Sequence, residues 1–275
     1  MIEMLSYGFV QMGVLCVLVL AGIHAYLGHH VVSRGVIFVD LSLAQVAALG
    51  SVAAMCLGVE GGPLLYAVSL MFTFAGALLI SVARTRDERV PQEAFIGIIY
   101  AGSTGLSVLL LAHHPEGAEM IQHMLAGSLL TVGPGELVRI AALYLVLGVF
   151  FYLLRGRFEL ISADRGAAAE RGWNLVWWDF LFYAAFAVVV TTAVRIAGVL
   201  LVFSLLVIPP VAALLLTSRP RARLALGWVF GAAGALGGVL ASVGLDLPAG
   251  PSVMTTLVLL LLAAAAMSAL RAARQ

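Results

Sequence analysis

Residues 35–50 read GVIFVDLSLAQVAALG. The stretch is apolar enough to open a membrane span, yet it carries Asp40 and, five residues on, Gln45. An ionisable side chain inside a span costs about 3 kcal/mol unless it meets a partner, water or a ligand. Asp40 is therefore either a structural anchor or part of a path for something charged, and the rest of the chain has to decide which.

The surroundings of that stretch fix the class. Of the 275 residues, 63% are hydrophobic and 11% charged, with a mean hydropathy of +1.09. A soluble domain carries about 25% charged residues and lacks repeated apolar runs of this length. The sequence predicts an all-α, polytopic membrane protein forming a single transmembrane domain over 1–275. Nine candidate spans are expected at 6–27, 36–58, 63–83, 94–112, 136–154, 178–194, 196–217, 224–244 and 252–270. Each is long enough for roughly 30 Å of hydrocarbon. The segment 121–131 is too short to cross, and GPG follows it at 133–135. It reads as a re-entrant or interfacial helix at the outer face. The apolar run at the N-terminus reads as a retained first span, not a cleaved signal.

Arginine placement sets the expected orientation. With the N-terminus outside and the C-terminus in the cytoplasm, all arginines except Arg139 and Arg195 fall on the inner side. The formal charge of +1 gives no nucleic-acid signal. The sequence contains no lysine, and a phosphate-binding P-loop needs one. If ATP drives this chain, another chain binds it. Neither HExxH nor GxSxG occurs, so protease and esterase readings have no motif behind them.

His24 lies about one turn from the inner end of the first span, and Asp40 about one turn into the second from the same face. The two share a depth. Such nitrogen and oxygen donors suit zinc, manganese or ferrous iron; a His–Asp hydrogen bond holding two helices together is the plainer alternative. Gln45 offers a carbonyl oxygen to an ion or an amide to a neighbouring helix. His113, His114 and His123, with Glu116 and Glu119, fall on the outer side, either as collectors of a cation or as a polar loop. His29 and His30 fall at the inner headgroup level.

Two further stretches bear on mechanism. Span seven carries Pro209 and Pro210, which predict a kink or break at depth. Between spans five and six, residues 155–173 read RGRFELISADRGAAAERGW. Ser162 is the expected N-cap of a short cytoplasmic helix and Gly172 its stop. That helix is a solvated connector or a docking element. Span eight carries glycines four apart, at 227 and 231 and at 234 and 238, for packing inside the subunit or across a dimer.

Several stretches together resemble the permease subunits of bacterial ABC importers for zinc, manganese and iron. They are AGVLLVFSLLVIPPVAALL at 197–215, LPAGPSV at 247–253, EAFIGIIYA at 93–101 and MLAGSLLTVGPGEL at 124–137. The resemblance implies a homodimer in the bacterial inner membrane, a cytoplasmic ABC ATPase that carries the ATP, and an extracytoplasmic metal-binding protein. It implies a divalent metal ion as cargo, with no cofactor resident on this chain. It makes 162–173 the coupling helix, with Ser162, Asp164, Arg165, Glu170 and Gly172 as its residues. The family's second span reads like GDALSHAxLPG, with its aspartate and histidine four apart. Here Leu41 and Gln45 stand at those positions and Asp40 is one residue early, about 100° around a helix. His24 is the expected compensating ligand. Beside an importer of free ions stand a metal-chelate permease, a stand-alone secondary carrier and a membrane scaffold.

Overall fold

The computed structural model describes residues 7–59, 61–83, 91–112, 127 and 129–273. Among these, the regular structure is helical: α1 (Gly8–Arg34), α2 (Val39–Cys56), α3 (Gly62–Ala83), α4 (Gln92–Leu111), a 3₁₀ turn (Leu129–Thr131), α5 (Pro134–Ala163), α6 (Arg165–Glu170), α7 (Leu175–Leu216), α8 (Pro220–Leu245) and α9 (Ala249–Ala272). All except α6 and the 3₁₀ turn are long and apolar enough to cross a membrane, giving eight such helices among the described residues.

The count of eight contains the nine expected runs. At 42 residues, α7 is about 63 Å long at 1.5 Å per residue, twice what a bilayer needs. It is interrupted at Gly198, whose φ of 74° and ψ of 160° only glycine adopts without strain. The break divides it into 175–197 and 199–216, each long enough to span. Of the kink or break expected at Pro209 and Pro210, the break is corrected: both sit inside the continuing helix, and Gly198 is its one non-helical residue.

The chain forms two compact units. The first comprises Met1–Val32, Leu125–Val149 and Arg195–Gln275. Pro210 has no N–H, so the Leu206 carbonyl four residues before it loses its helical donor. Gly28 of α1 lies against that carbonyl; a Cβ on Gly28 would stand 1.9 Å from Leu206 O. The span-eight glycines also act within the chain. A Cβ on Gly234 would meet Leu257 at 2.2 Å, one on Gly238 would meet Val253 Cα at 2.2 Å, and one on Gly231 would meet Ala21 at 3.2 Å. They let α9 and α1 close onto α8.

The second unit comprises Ser33–Met124 and Phe150–Val194. Its centre is α2, packed against α3 and α4. Ser69 donates to the Ala47 carbonyl at 2.7 Å, and Thr191 donates to Thr73 at 3.1 Å. Here α5 corrects the expected end of span five at 154: it runs on to Ala163. Phe151, Phe158 and Ile161 recur on one helical face and are buried. Phe158 packs edge-on against Phe182 and Trp178. The exposed Arg155, Arg157 and Glu159 between them conceal the stripe in the sequence.

Candidate ion path and coupling element

Asp40 lies in the first turn of α2 and is 1% exposed. Its Oδ1 has no hydrogen-bond partner among the described residues. Glu93, in the first turn of α4, faces the backbone N–H groups of Ile37 and Phe38 at the start of α2. A carboxylate there is favoured by the helix dipole. Glu93 is also close enough to Asp40 for their charges to act on one another, and its Oε2 atom is likewise buried with no hydrogen-bond partner among the described residues. Two carboxylates therefore converge where α2 begins, each with an oxygen that no donor among the described residues satisfies. A buried carboxylate oxygen left open is costly, and a cation or a proton is the ligand that would satisfy it.

The other expected ligands are distributed. His24 belongs to the first unit and is wholly buried on α1. Its Nδ1–H donates to the Leu20 carbonyl at 2.7 Å, and its ring meets Tyr144 edge-on at 6.4 Å. That bond fixes the tautomer and leaves Nε2, which has no described partner, with a free lone pair suited to a metal. Gln45 is buried on α2 at 7% exposure. Among the described residues no three His, Cys, Asp or Glu side chains converge as a closed metal site. His113, His114 and His123 lie outside the described residues.

At the other functional element, α6 is a single short helix, and its start corrects the sequence reading. Ser162 is not the N-cap. It lies in the last turn of α5 and accepts from Arg34 Nε at 2.9 Å. Because α5 continues through Ala163, the extended residue that opens α6 is Asp164, whose carboxylate accepts from the Ala167 N–H at 2.9 Å. Arg165 opens the helix and reaches Asp179. Ala168 is fully buried and seats the helix, while Glu170 is exposed at its end. Gly172, at φ 71°, stops it as expected.

A family match covers nearly the whole of this arrangement: the ABC 3 transport family over residues 6–268. This chain belongs to the ABC 3 transport family. It is 23% identical over 257 residues to the manganese transport system membrane protein MntC of Halalkalibacterium halodurans, covering 92% of this chain and 85% of that protein. It is 27% identical over 199 residues to the zinc transport system membrane protein TroC of Treponema pallidum, covering 70% and 66% respectively. In fold it is similar to a chain of PsaBC from Streptococcus pneumoniae in complex with Fab, with a TM-score of 0.80 at 18% identity, over 96% of this chain and 93% of that one.

Within this ABC 3 permease, two residues near the predicted sites escaped the sequence reading as site residues. Glu93 was visible only as the acid before a span. Asp179 sits in WWDFLF at 177–182, where a carboxylate among aromatic residues asks for a partner; the partners are 145 and 14 positions away. Asp164→Ala removes the cap and is expected to cost α6 about 1 kcal/mol. Amide exchange should quicken over 164–171 and stay as it was in α2.

Proposed function

We propose that this chain is the membrane subunit of an ATP-driven importer of divalent transition metal ions (zinc, manganese or iron). The observation that carries the reading is the buried Asp40 carboxylate in the first turn of α2 with the half-buried Glu93 of α4 beside it, each with one oxygen that has no hydrogen-bond partner among the described residues, in a chain whose family match spans 6–268. Relatives bearing the names of manganese and zinc transport systems support metal as the cargo.

In this reading the N-terminus lies outside and the C-terminus in the cytoplasm of a bacterial inner membrane. Two copies of the chain form the pathway. An external metal-binding protein delivers the ion. Asp40 draws it into the span, with Glu93 adding negative charge and Gln45 a further donor; His24 Nε2, in the first unit, is a candidate donor by itself. His113, His114 and His123 are candidate collectors on the outer side. A separate ATPase docks on α6, where Asp164 and Glu170 are exposed at its two ends. Its closure on ATP drives the alternation between outward and inward openings, and the chain itself makes and breaks no covalent bond.

The test is ATP hydrolysis by the complex of this chain with its ATPase and binding protein, reconstituted in lipid. Manganese, zinc or iron(II), carried by the binding protein, should raise the rate above the metal-free level. Stimulation only by a chelated metal moves the cargo to a chelate. No stimulation by either sinks the importer reading.

A further inference from the structure

One carboxylate in the second unit joins four helices, and the ion path does not use it. Asp179, near the start of α7, is fully buried. Its Oδ1 accepts from Arg34 Nη1 at 2.9 Å, and its Oδ2 accepts from Arg165 Nη1 at 2.5 Å. Arg34 donates onward through Nε to Ser162 Oγ at 2.9 Å. Its guanidinium also lies over the Phe182 ring, 4.0 Å from the centroid, where cation and π face attract. Arg34 ends α1, Ser162 is in the last turn of α5, and Arg165 opens α6. The two oxygens of Asp179 thus bridge α6 on one side to α1 and α5 on the other.

Burying this group is a poor route to net stability, because desolvation offsets most of the attraction. What it supplies is direction. Each bond has a fixed geometry, and loss of one member leaves a buried charge uncompensated. A helix of six residues does not hold its own shape in isolation. It is held here by its cap, by buried Ala168 and by the Arg165–Asp179 bond.

We propose that Asp179 is a positioning residue that fastens α6 to α1, α5 and α7, so that movement of α6 under the ATPase is carried into those helices and not lost in a loose connector. This rests on the importer reading, in which α6 meets the ATPase.

Two variants of the full chain test it. Asp179→Asn keeps the shape and removes the charge. Arg165→Gln alters a side chain that is 26% exposed and leaves the Arg34–Asp179 bond in place, so its folding is secure if the first variant's is not. The first readout needs no ATPase: amide exchange over 164–171 in lipid nanodiscs. The second is the number of metal ions moved per ATP by the reconstituted complex. Both variants are expected to exchange faster over 164–171 and to move about 3- to 30-fold fewer ions per ATP. Unchanged exchange in Arg165→Gln overturns the fastening. A wild-type ratio of ions to ATP, including hydrolysis and transport falling in parallel, overturns the transmission. If the unsubstituted complex moves no metal, the importer reading fails, while the exchange result still decides whether Asp179 fastens the helix.

Discussion

Asp40→Asn is expected to lower metal uptake by about 10- to 100-fold or more, since loss of even an outer-shell partner of a metal site costs that much, with the protein still folded and inserted. The size follows from charge. Asparagine keeps the volume and one carbonyl oxygen, but a neutral oxygen is a weak donor to a divalent ion. The tolerance follows from geometry. Asp40 Oδ1 has no protein partner among the described residues, so the substitution breaks no described hydrogen bond at that atom. It also removes a buried charge from beside Glu93, which relieves repulsion. The defect should appear as a higher metal concentration for half-maximal uptake. Glu93→Gln should do less, because the Glu93 carboxylate already accepts from the backbone N–H groups of Ile37 and Phe38 and only its Oε2 stays open. His24→Ala separates two roles. If Nε2 is a ligand, uptake falls; if the ring only fills space between helices, stability falls and the metal dependence of the surviving protein does not move. Full uptake by well-folded Asp40→Ala and His24→Ala chains would remove both from the path.

Gly28→Ala is expected to have the largest structural effect. Its Cβ would stand 1.9 Å from Leu206 O and 2.8 Å from Pro210 Cγ, against backbone and a ring that cannot swing aside. Separation to ordinary contact requires α1 or the 199–216 half of α7 to move by more than 1 Å, a shift that overpacked cores resist at about 3 kcal/mol or more. That is a large share of the roughly 5–15 kcal/mol that holds a typical domain together. The variant should lose its monodisperse elution peak in mild detergent or melt many degrees lower. Gly22→Ala is the control on the same helix. Nothing lies within 4 Å of its Cβ, and alanine is the better helix former by about 1 kcal/mol, so it should be neutral or stabilising. Equal behaviour of the two variants would contradict the close approach at Gly28.

The spans were legible because hydropathy depends on composition alone, and the greater part of each expected run lies on a described helix. What was not legible depended on which residues meet. The continuation of α5 was hidden because Phe158 and Ile161 are interleaved with Arg155, Arg157 and Glu159; the apolar face exists only once Phe182 and Trp178 are there to cover it. Ser162 was misread as a cap for the same reason: a cap must precede the helix in extended backbone, and that position passes to Asp164 once α5 runs on. The two prolines promised a kink or a break, yet the broken residue is Gly198. Proline removes a donor, and at Pro210 the carbonyl so freed, that of Leu206, lies against Gly28 of α1 while the helix continues. The glycines of α8 left two packing partners open in the sequence, and at 231, 234 and 238 they face α1 and α9 of the same chain. Asp40 stood out at once as a charge in an apolar run. That Glu93 stands beside it depends on a contact fifty-three positions away (from 40 to 93), which no local pattern carries.

Accumulation of metal ions inside sealed proteoliposomes, measured with the chain alone and then with its ATPase, ATP and loaded binding protein, decides whether this chain is the path of an ATP-driven importer. Accumulation against the gradient should require all the components and be lost in Asp40→Asn. Accumulation by the chain alone under an ion gradient, or full accumulation by Asp40→Asn with the complete complex, would contradict it.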